Sequence, residues 1–307
     1  MNKFTAAIML AIGAFAGDTK YFSANVFSNE TFLYGRFRTR MQGADMKGTF
    51  YNFITMWTGN NFENFDDSDW NLIEMSVFPT HGSGTNIMYG EGESAFKYHN
   101  WHPDSDWHDY EIEWTPDYIT YSIDNSVVRK VHGDEFQRRQ RKRQNISMSF
   151  WTPHWDAQNL DESKLPVYTK YDYVKAWDYD VATGDFTLRF MDNFDTLDED
   201  RWIARDDITF DGNSSKFMKQ HAYVDDGKLV LKMDKTLSPP QPNPKPPVEQ
   251  CEEPDYGAYM FGDLCTNKDN KARCNSCTSD CVQSWPARDP NKWESQRAWC
   301  QCLPWGL

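Results

Sequence analysis

Between Phe32 and Met233 apolar and polar residues repeatedly alternate with a period of two, and no stretch carries the wider apolar spacing of an amphipathic helix. A period of two sends successive side chains to opposite faces of a strand, so such runs read as half-buried strands. Phe32-Leu33-Tyr34-Gly35-Arg36-Phe37-Arg38-Thr39-Arg40-Met41 is one of them, with basic residues set between apolar ones. Tyr118 to Val128 reads as two strands around a turn at Asp124-Asn125. Ala222-Tyr223-Val224, the turn Asp225-Asp226-Gly227 and Leu229-Val230-Leu231 make a further hairpin. The expected fold is therefore all-β, a sandwich of antiparallel strands.

A chain of 307 residues with 39% hydrophobic content can bury a real core. Aromatic residues make up 16%, a load that fits either a thick core or a surface that stacks on planar ligands such as sugar rings. The formal charge of −14 argues against nucleic acid and against anionic lipid, both of which need a basic surface. Neutral polysaccharide or a cationic partner stays open.

The first residues predict an export signal. Lys3 supplies the positive start, Phe4 to Phe15 is apolar and small, and Ala14-Phe15-Ala16 offers a cleavage site before Gly17. Residues 1–16 are thus expected to be removed, leaving a secreted, extracellular protein of the cell wall or matrix. No later segment approaches the apolar length of a membrane span. Cysteine usage agrees with export, because all seven cysteines lie between Cys251 and Cys302. So dense a cluster predicts a disulfide scaffold, and the odd count leaves one thiol free or paired between chains. Cys274, Cys277 and Cys281 could instead hold zinc, the weaker alternative in an exported chain. Asn29, Asn145 and Asn213 begin N-x-S/T sequons that permit glycosylation.

Six of the nine residues from Pro239 to Pro247 are proline, which favours an extended spacer and marks a boundary. The expected organisation is a sandwich over 18–236, a proline-rich linker over 238–250 and a small disulfide-rich module over 251–307. The module is too short and polar for an ordinary core and is a candidate attachment site for other matrix proteins. Arg138-Arg139-Gln140-Arg141-Lys142-Arg143 is the one basic run. It reads first as a solvated loop, with docking of an acidic partner or anionic polysaccharide as the functional alternative.

Longer motifs carry a resemblance. Tyr34-Gly35-Arg36-Phe37, the strand around Trp70, the run Trp107 to Pro116, Asp161-Glu162-Ser163-Lys164-Leu165-Pro166 and Tyr173-Val174-Lys175 resemble the 1,3-1,4-β-glucanases (lichenases) of glycoside hydrolase family 16. The resemblance covers roughly residues 30 to 233. It implies a concanavalin-like jelly roll of two antiparallel sheets with a concave sugar cleft. Asp192-Asn193-Phe194-Asp195-Thr196-Leu197-Asp198, Arg201-Trp202 and Asp211-Gly212-Asn213 resemble the segment that opens most members. Here that segment follows the catalytic region, an order similar to a circularly permuted lichenase.

Family members carry Glu-x-Asp-x-Glu on one strand, with the three carboxylates sharing a face. The first Glu is the nucleophile, the Asp assists it, and the last Glu is the acid/base. A Trp stands two residues before the nucleophile, and Trp70 matches it. Counting from Trp70 gives Leu72, Glu74 and Ser76. Leucine cannot attack an anomeric carbon, and a serine hydroxyl is too weak an acid to protonate a leaving oxygen. Glu74 is thus expected to be a vestigial central acid.

The resemblance further implies sugar contacts at Trp151, Trp155 and Asn86 beside Trp70. A cleft arginine, an asparagine and a second stacking tryptophan of the family appear here as Ser147, Ser149 and Ile208. Glu111 is a spare carboxylate whose facing the pattern leaves open. No cofactor is required, and the resemblance leaves a structural Ca²⁺ open. The leading expectation is a secreted, non-catalytic β-glucan-binding or matrix protein. An active glucanase using substitute residues and a structural subunit without sugar binding are the alternatives.

Overall fold

The computed structural model describes residues 19–57, 70–90, 93–99, 101, 106–133 and 135–237, with backbone alone at 70, 93, 135 and 136. It also gives the backbone of 281–284 and 299–302. The expected export signal, the proline linker and most of the cysteine-rich module lie outside these residues. The chain divides into two compact units, Met1–Gln241 and Pro242–Leu307.

The first unit carries strands β1 (Tyr21–Phe32), β2 (Gly35–Gln42), β3 (Phe50–Met56), β4 (Trp70–Phe78), β5 (Gly82–Gly90), β6 (Glu93–Ser94) and β7 (Lys97–His99). There follow β8 (His108–Trp114), β9 (Tyr118–Ile123), β10 (Ser126–His132), the short helix α1 (Glu135–Arg138) and β11 (Gln144–Trp151). The last are β12 (Val167–Tyr179), β13 (Phe186–Asp192), β14 (Trp202–Ala204), β15 (Ser215–Phe217), β16 (Ala222–Asp225) and β17 (Lys228–Met233). In the second unit β18 (Cys281–Ser284) pairs antiparallel with β19 (Trp299–Cys302).

Two sheets form the sandwich. One has nine strands in the order β14-β1-β11-β3-β4-β5-β6, with β15 added to β1 and β7 to β5. The other has eight in the order β10-β9-β8-β2-β12-β17-β16, with β13 added to β12. Pairing is antiparallel throughout except for β15 on β1. This is the expected jelly-roll sandwich.

The expected hairpins form. Asp124 and Asn125 link β9 to β10 with φ of 48° and 64°, and Asp226 and Gly227 link β16 to β17 with φ of 51° and 64°. Both pairs occupy the left-handed region that a tight two-residue hairpin requires and that Asx and Gly residues tolerate best. Between the sheets Phe37, Phe53, Ile73, Met75, Trp114, Tyr121, Met148 and Tyr171 form part of one continuous core.

The two sheets differ on their outer faces. In β2 and β8 buried residues alternate with partly exposed ones, as expected for a sheet with one face in water. In β3 and β11 every residue is buried, so the outer face of the nine-stranded sheet is screened as well. That screened face holds the candidate site. The ends of the sandwich lie side by side, because Phe22 and Asp234 exchange backbone hydrogen bonds of 2.7 and 2.9 Å. Of the three sequons, only Asn29 is exposed. Asn145 and Asn213 are buried, and each makes a 2.7 Å hydrogen bond through its side-chain amide, to Ser28 O and from Ser215 N respectively. The folded chain therefore offers one acceptor for glycosylation, fewer than the sequence permits.

Candidate functional site

Strand register turns the outer face of the nine-stranded sheet into a lattice of rows. Asn145, Met56, Leu72 and Met88 face one another across four strands. The next row is Phe27, Ser147, Ile54, Glu74 and Asn86, and the third is Asn25, Ser149, Asn52, Ser76 and Gly84. In the fourth, Trp151 stands opposite Phe50. Leu72, Glu74 and Ser76 therefore do share a face, as the period of two dictates. Of these rows Leu72, Glu74, Ile54, Asn25, Asn52, Ser147 and Ser149 line a cleft that opens to solvent and is walled by Arg205, Phe210 and Phe217.

Each row has its own chemistry. Ile54, Met56, Leu72 and Met88 pack into an apolar cluster of their own. Glu74 lies beside it, 3% exposed. Asn86 donates Nδ2 to Glu74 Oε2 at 3.4 Å, and Asn52 and Ser76 also hydrogen-bond the carboxyl. Neighbours fix the amides in turn: Ser94 Oγ donates to Asn86 Oδ1 at 2.8 Å, and Ser149 Oγ to Asn52 Oδ1 at 2.8 Å. Burial dominates these contacts and pushes Glu74 up to about 7. A carboxyl in that range can exchange a proton near neutrality.

Stability should report this. Glu74 titrates near 7 in the folded chain, against an ordinary value of 4.5. The folded state therefore holds a proton that the unfolded state has lost, and stability falls as pH rises from 4.5 to 7. The full effect is on the order of 3 kcal/mol. Thermal melts of Glu74→Gln between pH 4.5 and 8 should lose most of that slope and leave the variant more stable than the parent at pH 8. An unchanged slope would show that Glu74 stays ionised throughout.

The cleft ends in aromatic rings. Trp151 is 4% exposed and is held between Phe50 and Phe210, with ring centroids at 4.8 and 5.0 Å. Trp155, just beyond the strand, is 45% exposed and lies over Phe78 and His81 at 5.8 and 5.5 Å. Tyr98 of β7 stands beside them, 47% exposed and 6.0 Å from Phe78. Of the two matched tryptophans, then, Trp155 offers an open face and Trp151 is packed as core. Trp70 opens β4 opposite Gly90, and its side chain lies outside the described residues.

Other expected residues fall elsewhere. Glu111 projects from the outer face of the eight-stranded sheet, 3.8 Å from Arg38, and cannot meet Glu74 through the sandwich. Its open facing is thus resolved away from the cleft. Ile208 pairs through the backbone with the wall residue Phe217 and is 39% exposed. The basic run begins on the last residue of α1, Arg138, and continues into the loop after it, packed on strand ends. Arg139 covers Tyr89 at 4.5 Å, Lys142 covers Trp57 at 4.0 Å, and Arg141 N donates to Asn71 Oδ1 at 3.0 Å. It is an anchored loop, with Arg138, Arg139, Arg141 and Arg143 exposed.

Arg205 was missed from sequence. It lines the cleft at the β14 wall, and its backbone N–H donates to Asn25 O at 2.9 Å. Nothing in the local pattern marks it, since only the β14–β1 pairing brings it to the cleft. Among the described residues Glu74 is the one acid lining this cleft, and no group of three or more His, Cys, Asp or Glu is placed to hold a metal ion. No helix among them is long and apolar enough to cross a membrane.

A two-sheet sandwich with a cleft across one sheet is an architecture of carbohydrate-active proteins, and comparison with known proteins specifies the family. Residues 10–175 match the model of glycosyl hydrolases family 16, and the chain belongs to that family. A β-glucanase of Fibrobacter succinogenes is 31% identical over 240 residues, covering 74% of this chain and 67% of its own. A β-glucanase of Brevibacillus brevis is 25% identical over 50% of this chain and 60% of its own. A xyloglucan endotransglycosylase/hydrolase of rice is 25% identical over 47% of this chain and 52% of its own. The chain thus spans between about half and two thirds of these relatives. Among solved structures, a Bacillus licheniformis β-glucanase aligns at 19% identity and a TM-score of 0.41, covering 50% of this chain and 69% of that one.

Proposed function

We propose that this chain is an exported member of family 16 that binds β-glucan and does not hydrolyse it. The observation that carries the reading is the apolar cluster around Leu72. Retaining hydrolysis needs two carboxyl groups about 5–5.5 Å apart across the scissile bond. On this reading Leu72 and Ser76 occupy the nucleophile and acid/base positions, and Glu74 is the central acid left between them. One buried carboxyl cannot both attack and protonate.

The same reading takes the chain as circularly permuted. Asp192 to Asn213 would be the family's opening segment carried to the far end. In support, the family match stops at 175 while the Fibrobacter relative matches 74% of the chain. The bonded ends at Phe22 and Asp234 are the geometry that makes permutation tolerable in a sandwich. Binding is supported by what the cleft keeps, Asn25, Asn52, Ser147 and Ser149 in its lining, and by the open rings of Trp155 and Tyr98 against Phe78 beyond it.

Affinity electrophoresis in gels containing barley β-glucan tests the proposal. The full-length protein should be retarded by glucan. A sugar ring on an indole removes apolar area worth about 25 cal/mol per Å², so Trp155→Ala should cost on the order of 1–2 kcal/mol, or roughly tenfold in affinity. Tyr168→Ala, on the outer face of the other sheet, should bind as the parent does. Absence of retardation in the wild-type protein would overturn the binding reading and favour a structural subunit.

A further inference from the structure

Trp155 lies past the end of β11, so its ring is set by what packs against it and not by strand geometry. One support is His81, on the turn between β4 and β5, with ring centroids 5.5 Å apart and planes tilted by 40°. His81 is itself tied down. Its backbone N–H donates to Phe78 O at 2.8 Å, and its Nε2 lies 3.5 Å from Asp156 Oδ1. Asp156 directly follows Trp155 in the chain, so one loop supplies both the platform and the acid that faces its support.

That acid is firmly held. Its side chain is 1% exposed, Oδ1 accepts from Asn159 Nδ2 at 2.7 Å, and its backbone N–H donates to Pro153 O at 3.0 Å. Gln158 Nε2 donates to Trp155 O at 2.9 Å and closes the same loop. The charge reaches the aromatic face: burial first, and then Asp156, hold the Tyr98 phenol above its ordinary range.

Three titratable groups among the described residues surround His81. Asp156 comes from the loop after β11, and Tyr98 comes from β7 with 6.5 Å between the rings. Lys47 lies on the loop whose Gly48 N donates to Thr80 Oγ1 at 3.0 Å. Lys47 is exposed and screened by water, whereas Asp156 is buried and close. A proton on His81 therefore adds an ion pair with Asp156. It also adds a cation–π contact with Trp155, within the ~6 Å that such contacts need.

We infer that His81 is the positioning residue of the glycan platform: paired with Asp156, it holds the Trp155 ring in its sugar-binding pose, and holds it more firmly once protonated. The inference rests on the glycan-binding reading and names what sets its platform. An imidazole changes charge between about pH 5 and 8, so acidification tightens glycan binding. Glu74, pushed up to about 7, titrates in the same window, and its contribution has to be separated.

Calorimetric titration of the full-length protein with a mixed-linkage gluco-oligosaccharide at pH 5.5 and pH 8 tests this. Between pH 8 and pH 5.5 the wild-type protein should gain about threefold more affinity than His81→Phe gains. Glu74 acts in both proteins, so that difference reads His81 alone. At pH 8 His81→Ala should bind roughly fivefold more weakly than the parent, because the indole is in its binding pose for a smaller fraction of the time. His81→Phe should recover most of that loss, since a ring again supports the indole. Asp156→Asn should flatten the pH difference as His81→Phe does. Its melting curve shows whether the loop survives, and His81→Phe, at a part-exposed turn position, carries the test if it does not. Equal gains in the wild-type protein and His81→Phe, or binding by His81→Ala at the parent's level, would overturn this inference and leave the glucan-binding reading intact. Trp155→Ala, which tests the platform itself, keeps the two failures apart. No binding by the wild-type protein at either pH would remove both readings together.

Discussion

Incubated with barley β-glucan or laminarin, the full-length protein should release no reducing ends above a buffer blank. Each acid–base role is typically worth ~10²–10⁴ in rate, and on the proposed reading the nucleophile is missing as well. The combined deficit against an active relative is expected to exceed about 10⁴. Substituting Leu72→Glu and Ser76→Glu together should not restore turnover. Leu72 is 2% exposed and is packed with Ile54, Met56 and Met88. A carboxyl placed there would be desolvated, as Glu74 is, so less of it would be ionised at neutral pH and it would be a poor nucleophile. The double variant should also melt below the parent, because an apolar contact is exchanged for a buried polar group. Glucan release by the wild-type protein that vanishes in Glu74→Gln would refute inactivity and give Glu74 a working catalytic role.

Much of this fold was legible because water marks one face of a strand. β2, β8 and β9 border solvent on their outer side, so Arg36, Arg38, Glu111 and Glu113 interrupt their apolar residues and reveal the period. β3 and β11 are buried on both faces and carry no charged residue, although Asn145, Ser147 and Ser149 still mark the period in β11. The facing of Leu72, Glu74 and Ser76 was readable for a different reason: residues two apart on one strand must agree. Arg205 was not readable, since its place in the cleft depends on a pairing between β14 and β1 far apart in the chain. Tyr98 and His81 likewise reach the exposed rings only through the folding of β7 and the β4–β5 turn. Nor could sequence rank Trp151 against Trp155. They are the same residue type four positions apart, and what separates them is that the strand ends at Trp151.

That difference predicts the larger stability effect of any single substitution considered. Trp151 belongs to an aromatic cluster with Phe50, Phe78, Phe210 and Phe217. Truncating a buried indole typically costs about 3–5 kcal/mol, through lost burial and the cavity left behind. For a sandwich of this size that is roughly a 10 °C fall in melting temperature. Trp151→Ala should therefore unfold well below the parent, and any glucan affinity it loses should follow from the damaged wall that carries Phe210 and Phe217. Trp155→Ala removes a half-exposed ring and should melt within a few degrees of the parent while losing affinity. Melting curves and gel retardation measured together on the two variants separate the roles. If Trp151→Ala keeps its melting temperature and loses binding, Trp151 is the sugar platform and the packing assigned to it here is not its main contribution. If Trp155→Ala is the variant that unfolds, the exposed ring is a structural brace, and the sugar face must be sought around Tyr98.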